Sequence, residues 1–239
     1  MNILVSVKRV PLTGGKITLT EDERAIQTRH LGFTVSPHEE CAAEEAIRLI
    51  EQHGGESTVL TLGPAEAEEQ LRDMMAIGVD RGIHLVSDGE EWDPQATAAA
   101  IVAAIGDDGT AFDLLLFGNE SADAGNYQVA IRVAAALGLP CVTGVKAIAV
   151  DGQTLRCEQE IPGGRDVYEV PMPAVVTVKE GINLPRYPSV PGRMRAKRKP
   201  LASSRPVRSE AKLEMRRLAR RLGLDPDHPR GLSKVTQTN

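Results

Sequence analysis

Apolar residues recur along this chain in two rhythms. Short unbroken bursts, "NILVSV" at 2–7, "STVLTL" at 57–62, "GIHLV" at 82–86 and "DLLLF" at 113–117, read as strands buried on both faces. Between them lie stretches with helical spacing. Ser36-Pro37-His38-Glu39 reads as N-cap, proline at N1 and capping-box glutamate, opening a helix that carries Ala42, Ala43, Ala46, Ile47 and Ile50 and stops at Gly54-Gly55. Gly63-Pro64 turns the chain into "AEAEEQLRDMMAI", closed by Gly78. Asp93-Pro94 starts an alanine-rich helix to Ile105, and Tyr127 to Leu137 forms another, ended by Gly138. Strand and helix in alternation predict an α/β fold, a doubly wound, mostly parallel sheet. The stretch "KITLTEDERAIQT" at 16–28 alternates like a small hairpin.

Past Pro140 the pattern turns antiparallel. "CVTGVKAIAV" meets "QTLRCEQEI" across Asp151-Gly152, a strong hairpin signal; "DVYEV" follows Pro162-Gly163-Gly164, and "AVVTV" is a last buried strand. This predicts an antiparallel hairpin addition and an extended C-terminal arm. Pro185, Pro188, Pro191, Pro200 and Pro206 argue against regular structure until "RSEAKLEMRRLARRLG" at 208–223, a basic amphipathic helix with Leu213, Leu218 and Leu222 near one stripe.

Composition narrows the classes. The 239 residues are 41% apolar, enough for a core. No run approaches the roughly 18 apolar residues of a membrane span, and the N-terminus reads as a strand rather than a signal peptide. A cytoplasmic protein without a membrane span is expected. Cys41, Cys141 and Cys157 show no metal or redox spacing and read as core or near-core thiols. The net charge of −5 conceals a polarity: 15 Lys/Arg face 4 Asp/Glu from Arg186 onward, a surplus of +11, whereas 13 face 29 before it, or −16. Cations in "YPSVPGRMRAKRK" (187–199) invite a nucleic-acid reading, but the chain has only 3 Phe, 3 Tyr and 1 Trp to stack on bases, so an acidic protein face is the better partner.

In an open parallel sheet, ligands gather beyond the carboxyl ends of the strands. Three loops stand there: Val7-Lys8-Arg9, Leu62-Gly63-Pro64 and "GNESADAGNYQ" at 118–128. The last joins Gly118 and Gly125 to the polar Asn119, Ser121, Asp123, Asn126 and Gln128 at a helix start, where amides face an anion. The residues alone leave open an anion site and a plain capped loop. Walker A, GxGxxG and GxSxG are absent. The five histidines are scattered and read as surface or capping groups, and the pairs Glu39-Glu40 and Glu44-Glu45 read as solvated first-turn charge. Glu160, at a strand end beside a tight turn, is placed to aim a charge outward or to be an ordinary solvated carboxylate.

Several separated segments, in order over roughly residues 1 to 200, resemble the β subunit of electron transfer flavoprotein, the family that includes FixA-type proteins. They are "LVSVKRV", "SPHEECAAEEAIRL", "LGPAEAEEQLRDMMAIGVDRGIHL", "EQEIPGGRDVYEVPMPAVVTV" and "PRYPSVPGRMRAKRK". The resemblance implies an adenine-nucleotide-α-hydrolase-like, Rossmann-like domain over 1–184, a recognition loop and basic run over 185–200, and an arm over 201–239 whose helix packs on a partner subunit. It implies a non-catalytic electron-carrier subunit, paired with an α subunit that holds the redox-active FAD between the chains. AMP would be bound structurally, through Ser6, Ser36, Pro37, His38, Glu39, Leu62 and the run Gly118, Asn119, Glu120, Ser121, Asp123, Gly125, Asn126, Tyr127, Gln128 and Val129. Glu160 and Thr13 would lie near the flavin. Val190, Pro191 and Met194 would dock acyl-CoA or other flavoprotein dehydrogenases, whose electrons, as in fatty acid oxidation, pass on to an acceptor of the electron transfer flavoprotein–quinone oxidoreductase type.

Departures from the family pattern are local. Ser36-Pro37 stands for the usual Asn-Pro, Thr13 stands where some members place a tyrosine, and Gln128-Val129 is shared with bifurcating members that bind a second FAD instead of AMP. The rest of those members' loop is not reproduced by "ADAGNYQVA". An adenine-nucleotide-dependent enzyme is the competing class; it needs an SGGxDS-like loop, and "SVKRVPLTGG" offers none.

Overall fold

A computed structural model describes residues 1–12, 14 and 17–208. Thr13 and the amphipathic helix expected beyond Arg208 lie outside the described residues. The buried bursts form strands β1 (Asn2–Ser6), β4 (Glu56–Gly63), β5 (Arg81–Val86), β6 (Leu114–Gly118) and β10 (Ala174–Val178). Short strands β2 (Arg9–Pro11) and β3 (Phe33–Val35) pair as a separate antiparallel ribbon. Of the stretch expected as a hairpin of strands, the described residues 17–28 keep one antiparallel bridge, Leu19 to Ile26.

Helices α1 (Pro37–His53), α2 (Glu68–Ile77), α3 (Pro94–Asp108) and α4 (Val129–Leu137) fill the intervals, with a 3-10 turn at Ala65–Ala67 ahead of α2. The N-terminal antiparallel expectation aside, the C-terminal one holds: β7 (Cys141–Asp151), β8 (Thr154–Ile161) and β9 (Gly164–Pro171) form consecutive antiparallel pairs. With β11 (Leu201–Ser204) at one edge, the main sheet runs β11-β5-β4-β1-β6-β10-β7-β8-β9 and is parallel from β11 to β7.

Strand residues alternate between two apolar layers, as the period of 2 requires. Ile3, Val5, Val59, Leu114 and Leu116 meet α1 and α2; Leu4, Leu60, Leu115 and Phe117 meet α3 and α4. The chain leaves β1 toward β4 and β5, then crosses back to β6 on the other side of β1. That reversal opens a crevice between the carboxyl ends of β1 and β6.

The proline-rich segment departs from expectation. It contains α5 (Val190–Ala196) and β11 (Leu201–Ser204), which extends the sheet in parallel beside β5. Pro191 sits in the first turn of α5, where its missing N–H costs nothing, and the Ser189 side chain caps by accepting from the Gly192 N–H at 3.1 Å. Gly192 is buried against α2, and a Cβ there would run into the Ala76 carbonyl oxygen. Gly192→Ala is therefore expected to lift α5 off α2 and lower stability by about 1–3 kcal/mol, read as a fall in the urea midpoint without a change in m value.

Candidate functional site

A cavity of about 490 Å³ occupies the crevice. Its floor is the carboxyl end of the sheet, Ser6, Leu62, Phe117 and Gly118. Its far wall is the loop into α4: Asn119, Glu120, Ser121, Asp123, Asn126, Tyr127, Gln128 and Val129 all line it. Glu39 reaches in from α1. The sequence-picked residues Ser36, Pro37, His38 and Gly125 do not line it. Ser36 is fully buried behind the cavity, and His38 bridges α1 to neighbouring loops, accepting at Nδ1 from the Glu180 N–H at 3.2 Å.

The start of α1 is held differently from the expected capping box. Ser36 is the N-cap residue, but its hydroxyl donates to the Glu120 carbonyl at 3.4 Å instead of closing the helix end. Glu39 Oε2 accepts from the Lys8 backbone N–H at 2.7 Å, and the Ser36 amide, the return bond of a capping box, also hydrogen-bonds this carboxyl. This approach needs Gly118, because a Cβ there would collide with Glu39 Cγ. Burial pushes the Glu39 carboxyl up to about 8, with the Lys8 amide and ammonium only partly opposing it.

The Lys8 side chain continues across the mouth of the cavity. Its ammonium lies 2.7 Å from Glu91 and 2.7 Å from Asp123, tying the loop after β5 to the loop after β6. Burial works against that charge, but the two carboxylates outweigh it and raise the Lys8 pKa. Asp123 is likewise disfavoured by burial yet held below the usual range by hydrogen bonds from Lys8 and Ser121.

The α4 end is open. Gln128 gives no side-chain cap, since its Oε1 accepts from Arg132 at 2.9 and 3.2 Å, and the helix begins at Val129, two residues later than expected. Tyr127 takes φ 54° and Gly125 φ 56°, so the loop bends sharply before the helix starts. The first-turn amides of a helix lack intrahelical acceptors, and here Gln128, Val129 and Ala130 line the cavity.

Two lining residues escaped sequence reasoning as ligand candidates. Arg9 stacks 3.3 Å over the Phe33 ring, and Trp92 closes the wall ahead of α3. Both keep a buried N–H, Arg9 Nε and Trp92 Nε1, without a hydrogen-bond partner among the described residues. The loop position of Arg9 was a signal; for Trp92 the only signal was its place beside the Asp93 cap.

Other picked residues lie elsewhere. Glu160 is exposed on β8, opposite Arg165 of β9. Val190 and Met194 are 76% and 58% exposed, one helical turn apart on α5, and Pro191 is exposed between them. Lys199, read as part of an outward basic run, instead donates to the Met75, Gly78 and Val79 carbonyls at the end of α2. His84, expected as a surface or capping group, is buried with Nε2 3.1 Å from the Pro64 carbonyl oxygen. Glu44 and Glu45, expected in solvent, are buried as well. Among the described residues no helix is long and apolar enough to cross a membrane.

The family model described as "Electron transfer flavoprotein domain" matches residues 25–206. The chain is 37% identical to the electron transfer flavoprotein subunit beta of Bacillus subtilis over 203 residues, covering 84% of this chain and 77% of that protein. It is 37% identical to the subunit of the same name from Syntrophomonas wolfei over 216 residues, 90% of this chain and 84% of that one. The Bradyrhizobium diazoefficiens subunit beta is 33% identical over 205 residues, 84% and 80% of the two chains.

Glu39 supplies a pH test. Its pKa is 4.5 in the unfolded chain and about 8 in the folded one, so between these values only the unfolded chain sheds the proton. The contribution of this group is complete below the lower value and is lost as pH rises through the upper one. Thermal melts from about pH 5 to about pH 8 should show the protein losing stability relative to Glu39→Gln, which has no proton to release. Parallel pH profiles for the two proteins would refute a buried neutral Glu39.

Proposed function

Because the chain belongs to the electron transfer flavoprotein family, and aligns over most of its length with β subunits of that family, we propose that it is the β subunit of a heterodimer in which the α subunit holds most of a shared FAD. Membership makes it an electron-transfer flavoprotein subunit with an α-subunit partner. The finer reading gives the chain three tasks: to scaffold the FAD, to hold AMP structurally in the crevice, and to dock a dehydrogenase on the exposed α5 face. Electrons would leave to a quinone oxidoreductase or another acceptor. The flavin, when bound, supplies the redox chemistry; the chain positions and docks without a catalytic group of its own, in the cytoplasm.

The observation that carries the nucleotide reading is the construction of the cavity. Gly118 lets backbone come close, the uncapped amides of α4 offer donors to an anion, and apolar Leu62, Phe117 and Trp92 offer a surface to a base. Ser6, Leu62 and most of residues 118–129 line that single space. The lining carboxylates Glu91, Glu120 and Asp123 oppose a highly charged ligand, and Lys8 is already engaged by two of them. A nucleoside monophosphate suits this balance better than a triphosphate, which favours a structural nucleotide over an ATP-using enzyme. Thr13 and Glu160 near the flavin, and Val190, Pro191 and Met194 in docking, belong to the same proposal. For Val190 the support is its exposure.

Mass spectrometry of the small molecules released on denaturing the purified heterodimer tests the reading. One FAD and one AMP per pair are expected. Two FAD and no AMP would replace the AMP assignment with a second flavin, and a heterodimer without flavin would overturn the whole reading.

A further inference from the structure

The segment from Asn183 to Lys199 is fastened to α1 and α2 along its length. Asn183 Nδ2 donates to the Cys41 carbonyl at 3.0 Å and to Glu45 Oε2 at 2.9 Å. Arg193 pairs with Asp73 at 2.7 Å. Arg72 Nη1, from α2, donates to the Ala196 and Lys199 carbonyls at 2.8 and 3.0 Å.

Arg186 is the densest fastening. Its Nε and Nη2 donate to Glu44 Oε2 and Oε1, each at 2.9 Å, and its Nη1 and Nη2 donate to the two oxygens of Glu51 at 2.8 and 3.2 Å. Its backbone N–H also donates to Glu44 Oε2 at 3.1 Å. One planar guanidinium is thus filled by two carboxylates a helical turn or two apart on α1, a geometry that a lysine cannot reproduce. The two carboxylates hold the Arg186 pKa above its ordinary value against a smaller opposing burial. The Glu44 side chain is 6% exposed, so without Arg186 it would be a stranded buried charge.

The side chains beside this anchor behave in the opposite way. Leu184 is 90% exposed, Tyr187 96% and Val190 76%. Apolar groups on a loose segment would fold back onto the surface; here the backbone that carries them is pinned. Pinning before encounter removes an ordering cost that binding would otherwise meet.

We propose that Arg186 is the positioning residue of the docking arm: through Glu44 and Glu51 it sets the backbone from which Val190 projects, and it presents Tyr187 as a second anchor. The partner surface is an apolar pocket with an acidic rim, because Arg195, Lys197 and Arg198 stand exposed along the same segment. This rests on the reading of Val190 as a docking residue.

The test uses the FAD-containing heterodimer as electron acceptor from an acyl-CoA dehydrogenase reduced by its own substrate. Arg186→Gln and Tyr187→Ala are each expected to raise the KM for the heterodimer about five- to tenfold while kcat stays within about twofold, with Arg186→Lys intermediate. Without dehydrogenase, trypsin should cut after Arg193 and Arg195 faster in Arg186→Gln. Val190→Asp separates the two ideas. If it leaves KM unchanged, the docking reading itself fails. If it raises KM while Arg186→Gln lowers only the melting temperature, Arg186 is merely structural and the positioning role is overturned.

Discussion

A carboxyl group taken out of water must be met by hydrogen-bond partners, and α1 places three of them in that position. Glu39, Glu44 and Glu45 are all buried on one helix, and two distant parts of the chain answer them. The Lys8 amide meets Glu39, Arg186 meets Glu44, and Asn183 meets Glu45. Each bond spans a long separation in sequence, so the loop after β1 and the arm after β10 are located by the same helix. The sheet determines where α1 lies; these carboxylates determine what lies against it.

This arrangement separates two tasks on one scaffold. At its N-terminal end α1 forms part of the crevice, where Glu39, Gly118 and the Lys8 bridge border the cavity proposed to take a nucleotide. Further along the helix, Glu44 and Glu51 hold an arm whose apolar side chains face outward. The crevice depends on backbone amides and close approach, features of a site built to retain its ligand. The arm depends on pinned backbone and exposed side chains, features of a surface built to meet partners and leave them. An electron carrier of the proposed kind uses both, keeping its nucleotide while its donors change.

Much of the fold could be read from hydropathy alone. The five buried bursts, the Asp93 cap, whose Oδ1 accepts from the Ala96 N–H at 2.9 Å, and the Asp151-Gly152 hairpin are local signals and are found where the pattern places them. What escaped was non-local. Glutamates early in a helix look solvated until an arginine 142 residues away is seen beside one of them. The Ser36 to Glu39 spacing matches a capping box, but the Ser36 hydroxyl goes to the Glu120 carbonyl and the Lys8 amide shares the glutamate with the Ser36 amide. Pro188 and Pro191 look like breakers, yet Pro191 starts α5, and β11 is a four-residue edge strand with no apolar alternation to betray it. At the site, loops at strand ends pointed to the right crevice; Trp92 carried no pattern of its own.

Helix α1 orders an arm whose side chains are exposed, and hydrogen exchange on the heterodimer measures that order directly. The amides of Arg186, Gly192 and Arg193 each donate a hydrogen bond within the arm or to Glu44, and they should exchange about as slowly as those inside α1. Glu44→Gln should release them while leaving the amides of β6 protected. Exchange of the three amides at the rate of an unstructured peptide in the unsubstituted protein would contradict the account.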